Sequence, residues 1–215
     1  MRRLVLKMSV SVDGFVGGPK GEVDWVFRSL DDGATAWIVE TLWQAGLHIM
    51  GSRTFQDMIA WWPTSTEVFA PPMNEIPKAV FTRKPGGTPL DTATTTALEN
   101  ATALRGGALD ATGTSPHAAS WAKAYVARGD LGAEITALKE QPGKDILAHG
   151  GAGFAGSLVR LGLIDEYRLL VHPVALGRGL PLFADLPQPR DLKLVSATAF
   201  GGGCVAHVYR PGAVG

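Results

Sequence analysis

Residues 146–158, ILAHGGAGFAGSL, set an apolar run directly against a cluster of glycines. The run reads as a strand, and Phe154, Leu158, Val159, Leu161 and Leu163 mark the buried stripe of a helix that the glycines open. A strand that becomes a helix within a few small residues is the building unit of α/β folds. It leaves free N–H groups at the helix start, where a phosphate is favoured and a ligand can approach the backbone closely. The alternative is a tight turn in which glycine merely permits close packing. Residues 49–55, IMGSRTF, repeat the pattern, with Gly51 after an apolar strand and Ser52, Arg53 and Thr54 opening another helix.

Gly151, Gly153 and Gly156 spell G-x-G-x-x-G, the fingerprint of the Rossmann turn. That fold also needs an acid about 20 residues further on to hold the ribose, and a following βαβ unit. The required position falls in VHPVA, without an acid, and Asp165 and Glu166 come before the strand begins. Most of the chain also precedes the motif. The signature is therefore incidental. The glycines with a role are Gly150 and Gly151 at the strand end, with Gly153 permitting helix entry and Gly156 letting the helix pack closely.

Strand-like runs at 3–10, 46–50, 78–82 and 145–148 alternate with turn signals or helical periods, as in 34–45 and 131–139. After Tyr167 the pattern changes to YRLLVHPVAL, LKLVSATAF, three glycines and CVAHVYR, a strand followed by a β-hairpin. The fold expected is α/β, with a mixed, mostly parallel sheet that ends in an antiparallel hairpin. With 215 residues, 46% of them hydrophobic, one domain over 1–215 is expected. Residues 88–120, rich in Thr, Ala and Gly, read as a surface excursion holding at most a short helix.

Twenty basic residues balance twenty acidic ones, so no basic field calls for nucleic acid or an anionic membrane. No window approaches the ~20 apolar residues of a membrane span. The single cysteine, Cys204, has no internal partner for a disulfide. A soluble, cytoplasmic protein is expected. No H-E-x-x-H motif or Cys/His cluster supports a metal site.

SVDGFVGG at 11–18, MGSRTF at 50–55, KAVFT at 78–82 and ILAHGGAGFAGSLVRLGLIDEYRLLVHPVALGRGLPLF at 146–183 follow one another in an order that resembles the dihydrofolate reductase superfamily. The bacterial branch similar to the C-terminal reductase domain of riboflavin biosynthesis is the nearest. The resemblance covers nearly the whole chain apart from roughly 88–118. It implies a three-layer αβα sandwich, NADPH as cofactor, hydride transfer to a small heterocycle of pteridine or pyrimidine type, and a homodimer. Carried over, Ser9 and Val16 would line the nicotinamide pocket. Gly51, Ser52, Arg53 and Thr54 would hold phosphates, Thr82 and Arg83 the adenosine side, and Gly150, Gly151, Ala152, Gly153 and Phe154 the pyrophosphate and nicotinamide. The family often has Gly-Arg-x-Thr where this chain has Gly-Ser-Arg-Thr, which moves the arginine about 100° around the helix start.

On the substrate side, folate reductases place a buried carboxylate on the helix after the first loop. GEVDWVFRSLDDG offers Asp24, Asp31 and Asp32 there, and Asp24 with Trp25 is the preferred pair. Asp13 is either a substrate ligand, as the riboflavin branch implies, or an ordinary Asp-Gly turn. Lys7 and Arg28 are possible partners for a substrate phosphate, and His172 reads as a packed core histidine. The rival to a reductase is a non-catalytic, dimeric NADPH-binding module of the same fold, separable by NADPH consumption. A flavin-binding protein is a third reading.

Overall fold

Leu4, Val5 and Leu6 are all 2% exposed or less, because β1 (Leu4–Ser11) runs through the middle of the sheet and is covered on both faces. The computed structural model describes residues 1–83 and 116–212. Around β1 lie β3 (Ala45–Gly51), β4 (Lys78–Phe81), β5 (Tyr125–Ala127), β6 (Asp145–Ala148), β7 (Glu166–His172), β9 (Leu192–Ala199) and β10 (Val205–Pro211). Their order is β5-β4-β3-β6-β1-β7-β10-β9. The first six are parallel; β10 runs antiparallel to both β7 and β9, which makes the expected terminal hairpin. A two-stranded ribbon pairs β2 (Phe15–Gly17) with β8 (Leu180–Pro181).

Helices cover both faces. On one, α1 (Asp32–Trp43), α2 (Ser52–Trp61), α3 (Ala70–Glu75) and α4 (Pro116–Ala122) pack Ala34, Ile38, Phe55, Met73 and Trp121 against Val5, Leu147 and Leu170. On the other, α5 (Leu131–Glu140) and α6 (Ala152–Arg160) pack Ile135, Leu138, Leu158 and Val159 against Leu4, Leu6 and Ile49. The three-layer αβα arrangement is thus the one expected. The helix read over 34–45 begins earlier because the Asp31 carboxylate accepts from Ala34 N at 2.8 Å and caps it.

Of the stretch read as a surface excursion, residues 88–115 lie outside the described part, and its end carries the short helix that reading allowed. Residues from 116 onward form α4, drawn inward by the wholly buried Trp121. The Trp121 indole N–H donates to Asn74 Oδ1 at 2.8 Å, and its ring lies 5.6 Å from that of Phe55. A tryptophan with its polar atom satisfied contributes enough apolar area to hold an otherwise weakly apolar segment against the core. At the opposite end of the sheet, the nearly buried Glu166 takes ion pairs from Arg3 at 2.8 Å, Arg168 at 2.8 Å and Arg210 at 3.0 Å, tying β1, β7 and β10 together.

Candidate active site

The two glycine turns become neighbours because β3 and β6 are adjacent parallel strands, paired from Ala45↔Asp145 to Ile49↔Ala148. Each turn opens a helix, but α2 packs on one face of the sheet and α6 on the other. A crevice opens between strand ends whose connections leave in opposite directions, and α/β sheets bind ligands there. α1 and α5 are capped by Asp31 and Asp130, whereas α2 and α6 have Gly51 and Gly151 as N-caps and no side-chain cap. Two sets of first-turn N–H groups therefore face the crevice without a protein side chain to satisfy them.

Steric contact explains the small residues. A Cβ on Gly150 would lie 2.9 Å from Met8 Cε; one on Gly151 would lie 2.6 Å from Thr54 Oγ1. Gly151 also has φ +70°, a left-handed conformation that side-chain-bearing residues adopt only with strain. A Cβ on Gly51 would come within 3.2 Å of Phe154 Cβ, so the two turns pack directly on each other. Gly156 differs from the sequence reading: its only neighbour would be the flexible end of Arg160, at 3.4 Å, so close packing does not require glycine there.

The other expected cofactor contacts are distributed around this crevice. Ser52 and Thr54 are half-buried on the first turn of α2, while Arg53 is exposed and makes no ion pair among the described residues. Phe154 packs beside Phe81 with ring centroids 5.1 Å apart, and Thr82 and Arg83 follow at the end of β4. Ser9 is half-buried on β1. Val16, by contrast, belongs to the apolar cluster of Met8 and Val10 on the opposite face from Ser9.

The expected substrate-side carboxylates do not converge. Asp24 has a side chain 71% exposed and pairs with Arg28 at 2.9 Å, while Trp25 is buried, donates to the Glu22 carbonyl at 3.0 Å and stands edge-on to His172. Adjacent residues of the 3-10 turn Asp24–Ser29 are about 120° apart and cannot face one pocket together. Asp31 spends its second oxygen on Gly202 N at 2.7 Å. Asp13 accepts from Ser11 Oγ at 2.6 Å, Leu176 N at 3.1 Å and Gly177 N at 2.7 Å. Those donors, the Ser11 hydroxyl first, hold its carboxyl below the usual range. It is an anionic bracket between two loops, with no proton to give at neutral pH.

The face covered by α1 and α2 carries a group of basic side chains: Lys7, read from the sequence as a possible partner for a substrate phosphate, His172, read as a packed core histidine, and His48, His149 and Lys78, which sequence reasoning passed over. His48 and His149 stand edge to face with centroids 4.5 Å apart. Burial pushes His149 down to about 3 and His172 to about 4, each aided by the charge of Lys7. His48 is also held well below its ordinary range by burial; the Leu42 carbonyl nearby opposes this weakly without forming a hydrogen bond. Lys78 is drawn to about 7 by burial and sits 4.5 Å over the Trp121 ring. Lys7 is only partly buried as a residue, yet desolvation alone takes its ammonium from 10.5 to about 8. The alternation of β1 sets Lys7 and Ser9 on the face opposite Leu6 and Met8. No group of three His, Cys, Asp or Glu side chains is poised for a metal among the described residues. No described helix is long and apolar enough to cross a membrane.

Comparison with known proteins agrees with this architecture. The Bacillus subtilis (strain 168) uncharacterized protein YyaP is 31% identical over 210 residues, 97% of this chain and 94% of its own. The Thermotoga maritima diaminohydroxyphosphoribosylaminopyrimidine deaminase/5-amino-6-(5-phosphoribosylamino)uracil reductase superposes with a TM-score of 0.64 at 16% identity, over 98% of this chain and 57% of the larger one. Dihydrofolate reductase from Enterococcus faecalis, solved with NADP(H), shares the fold with a TM-score of 0.57 at 12% identity, over 97% and 96% of the two chains. The model of the RibD C-terminal domain matches residues 2–206, nearly the whole of the doubly covered sheet and both glycine turns, and the chain belongs to that family.

Proposed function

We propose that this protein is an NADPH-dependent reductase that transfers a hydride to a small planar heterocycle of pteridine or pyrimidine type. The observation that carries the reading is the pair of uncapped helix N-termini packed against each other at the ends of β3 and β6. The residues present fit a dinucleotide. Gly150, Gly151, Ala152 and Gly153 offer backbone N–H groups to a pyrophosphate, and Ser52 and Thr54 add hydroxyls from the facing turn. Arg53, Thr82 and Arg83 supply charge and hydrogen bonds at the adenosine end. Ser9 and Phe154 flank the place where a nicotinamide would enter. NADPH, when bound, supplies the hydride; the protein orients the acceptor and keeps water out. Family membership and the NADP(H) bound to the Enterococcus faecalis reductase support this reading.

NADPH at about a hundred times its Kd is expected to stabilise the protein by about 2.7 kcal/mol, raising the melting temperature by roughly 5–10 °C. Gly151→Asp, which drives a carboxylate into Thr54 and into the anion site, is expected to abolish the rise. An unchanged melting temperature for the wild-type protein at millimolar NADPH would sink the reading.

The same proposal includes a second copy of the chain. Strand β9 forms an edge of the sheet, and seven of its eight residues are exposed, including Leu194 at 51% and Val195 at 48%. An uncovered edge of that length with apolar side chains fits association with another protomer.

A further inference from the structure

His48 is wholly buried on β3, and both nitrogens of its ring are shielded from solvent without a hydrogen-bond partner. Its neighbours leave it no counter-charge. Lys78 stands directly opposite on β4, and the His149 ring at the end of β6 meets it edge-on at 4.5 Å, with the charge of Lys7 on β1 reaching His149 from behind. From α1 only the Leu42 carbonyl comes near, while Asp32, Glu40, Arg53, Asp57 and Glu75 of α1, α2 and α3 are exposed. The charged groups that act on this imidazole are basic, and no acid among the described residues does so.

Lys78 is also the peg that holds the neighbouring helices. Its ammonium donates to the Ile76 carbonyl and to Ser120 Oγ at 2.8 Å, and it lies 4.5 Å over the Trp121 ring. Ser120 Oγ in turn donates to the Asn74 carbonyl, Trp121 Nε1 to Asn74 Oδ1 at 2.8 Å, and Asn74 Nδ2 to the Trp62 carbonyl at 2.9 Å. One buried polar chain thus ties α3, α4 and the end of α2 to the spot beside His48. A proton on His48 would set a second positive charge next to Lys78, where neither water nor an anion can answer it. The sheet cannot give way there, because β3 is hydrogen-bonded to β4 on one side and to β6 on the other. α3 and α4 are short and rest on the sheet through side chains, so they form the unit that opens at the lower cost.

We propose that His48 and Lys78 form an acid-released latch: when His48 takes up a proton, α3 and α4 come away from β3 and β4, water reaches the pair, and the central sheet stays folded. Burial, more than the nearby charges, holds His48 well below its ordinary 6.5 in the closed form. Below pH 6.5 the open form therefore binds more protons than the closed one, and closure weakens as pH falls. Lys78, drawn to about 7, is charged in both forms well below that pH, so the slope in acid belongs to the imidazole. The latch does not depend on the hydride-transfer reading. It reaches the crevice all the same, because Asn74 fastens the far end of α2, whose first turn carries Ser52 and Thr54.

Hydrogen exchange on the full chain, followed from pH 7.5 to 5 and corrected for the intrinsic rate, tests this. The amides of α3 and α4 are expected to open about tenfold more often for each pH unit below 6.5, while β1, β3 and β6 keep their protection. His48→Leu fills the site without a proton acceptor and is expected to flatten that slope; His48→Gln serves the same end if leucine prevents folding. His172→Gln removes a buried imidazole elsewhere on this face and is expected to leave the slope in place. Exchange in α3 and α4 that ignores pH, helices and sheet opening together, or a slope that survives the loss of His48 would each overturn the latch.

Discussion

At the scale of single residues, Lys7 carries a measurable stability cost. An ammonium with an ordinary value of 10.5 sits at about 8 in the folded chain because burial penalises its charge. Below pH 8 both folded and unfolded chains hold the proton, and the penalty is present in full. Between pH 8 and 10.5 the unfolded chain binds more protons than the folded one, so this group makes stability rise with pH. Lys7→Met fills similar space without the charge and is expected to stabilise the fold at pH 7, raising the melting temperature by several degrees. The advantage over the wild type shrinks as pH climbs from 8 to 10.5. Thermal melts of both proteins across that range check this, and a Lys7→Met protein less stable at pH 7 would refute it.

At the scale of elements, the loop between β1 and β2 is held down by its neighbour rather than by its own sequence. Val12 N donates to the Val174 carbonyl at 3.0 Å, Leu182 N to the Gly14 carbonyl at 3.2 Å, and Asp13 gathers the amides of Leu176 and Gly177. Asp13→Ala removes the acceptor for those amides and for Ser11 Oγ. Hydrogen exchange at residues 174–182 is expected to accelerate at least several-fold while β1, β3 and β6 keep their protection. The wild-type loops should show the same loosening in acid: the carboxyl is depressed in the folded state, so its contribution is present above its unfolded value and lost as pH falls through the folded one. Uniform exchange across the loops in wild type and variant would show that Asp13 holds nothing.

At the scale of the whole molecule, the order of the strands makes the site. β1, β3 and β6 are far apart in sequence, yet β6 lies between the other two, so the turns after β3 and β6 meet while Lys7 of β1 comes to stand beside His149. The exposed edge belongs to the same scale. If β9 meets a second copy, light scattering gives twice the chain mass, and Leu194→Lys with Val195→Glu gives a monomer whose melting temperature is lower and depends less on protein concentration. A wild-type monomer at tens of micromolar would exclude the dimer.

Local rules were enough for much of the fold. Apolar runs of the right length named β1, β3, β4 and β6, because strands covered on both faces are apolar along most of their length, and the terminal hairpin was named by two strand-like runs around three glycines. Glycine followed by a helical period located both turns of the cofactor crevice, since backbone approach and an uncapped helix start are properties of a short stretch of chain. The short helix allowed at the end of residues 88–120 is α4, but its inward packing had no local signal, because one buried tryptophan, not the composition around it, holds the segment in place. Asp24 and Trp25 are neighbours in the chain and part company in space, while Lys7, His149 and His172 come together from three strands. Which side chains share a face follows from the alternation along each strand; which faces meet follows from strand order, and only the tertiary structure decides that, because parallel pairing joins residues separated by long crossovers that leave no local trace.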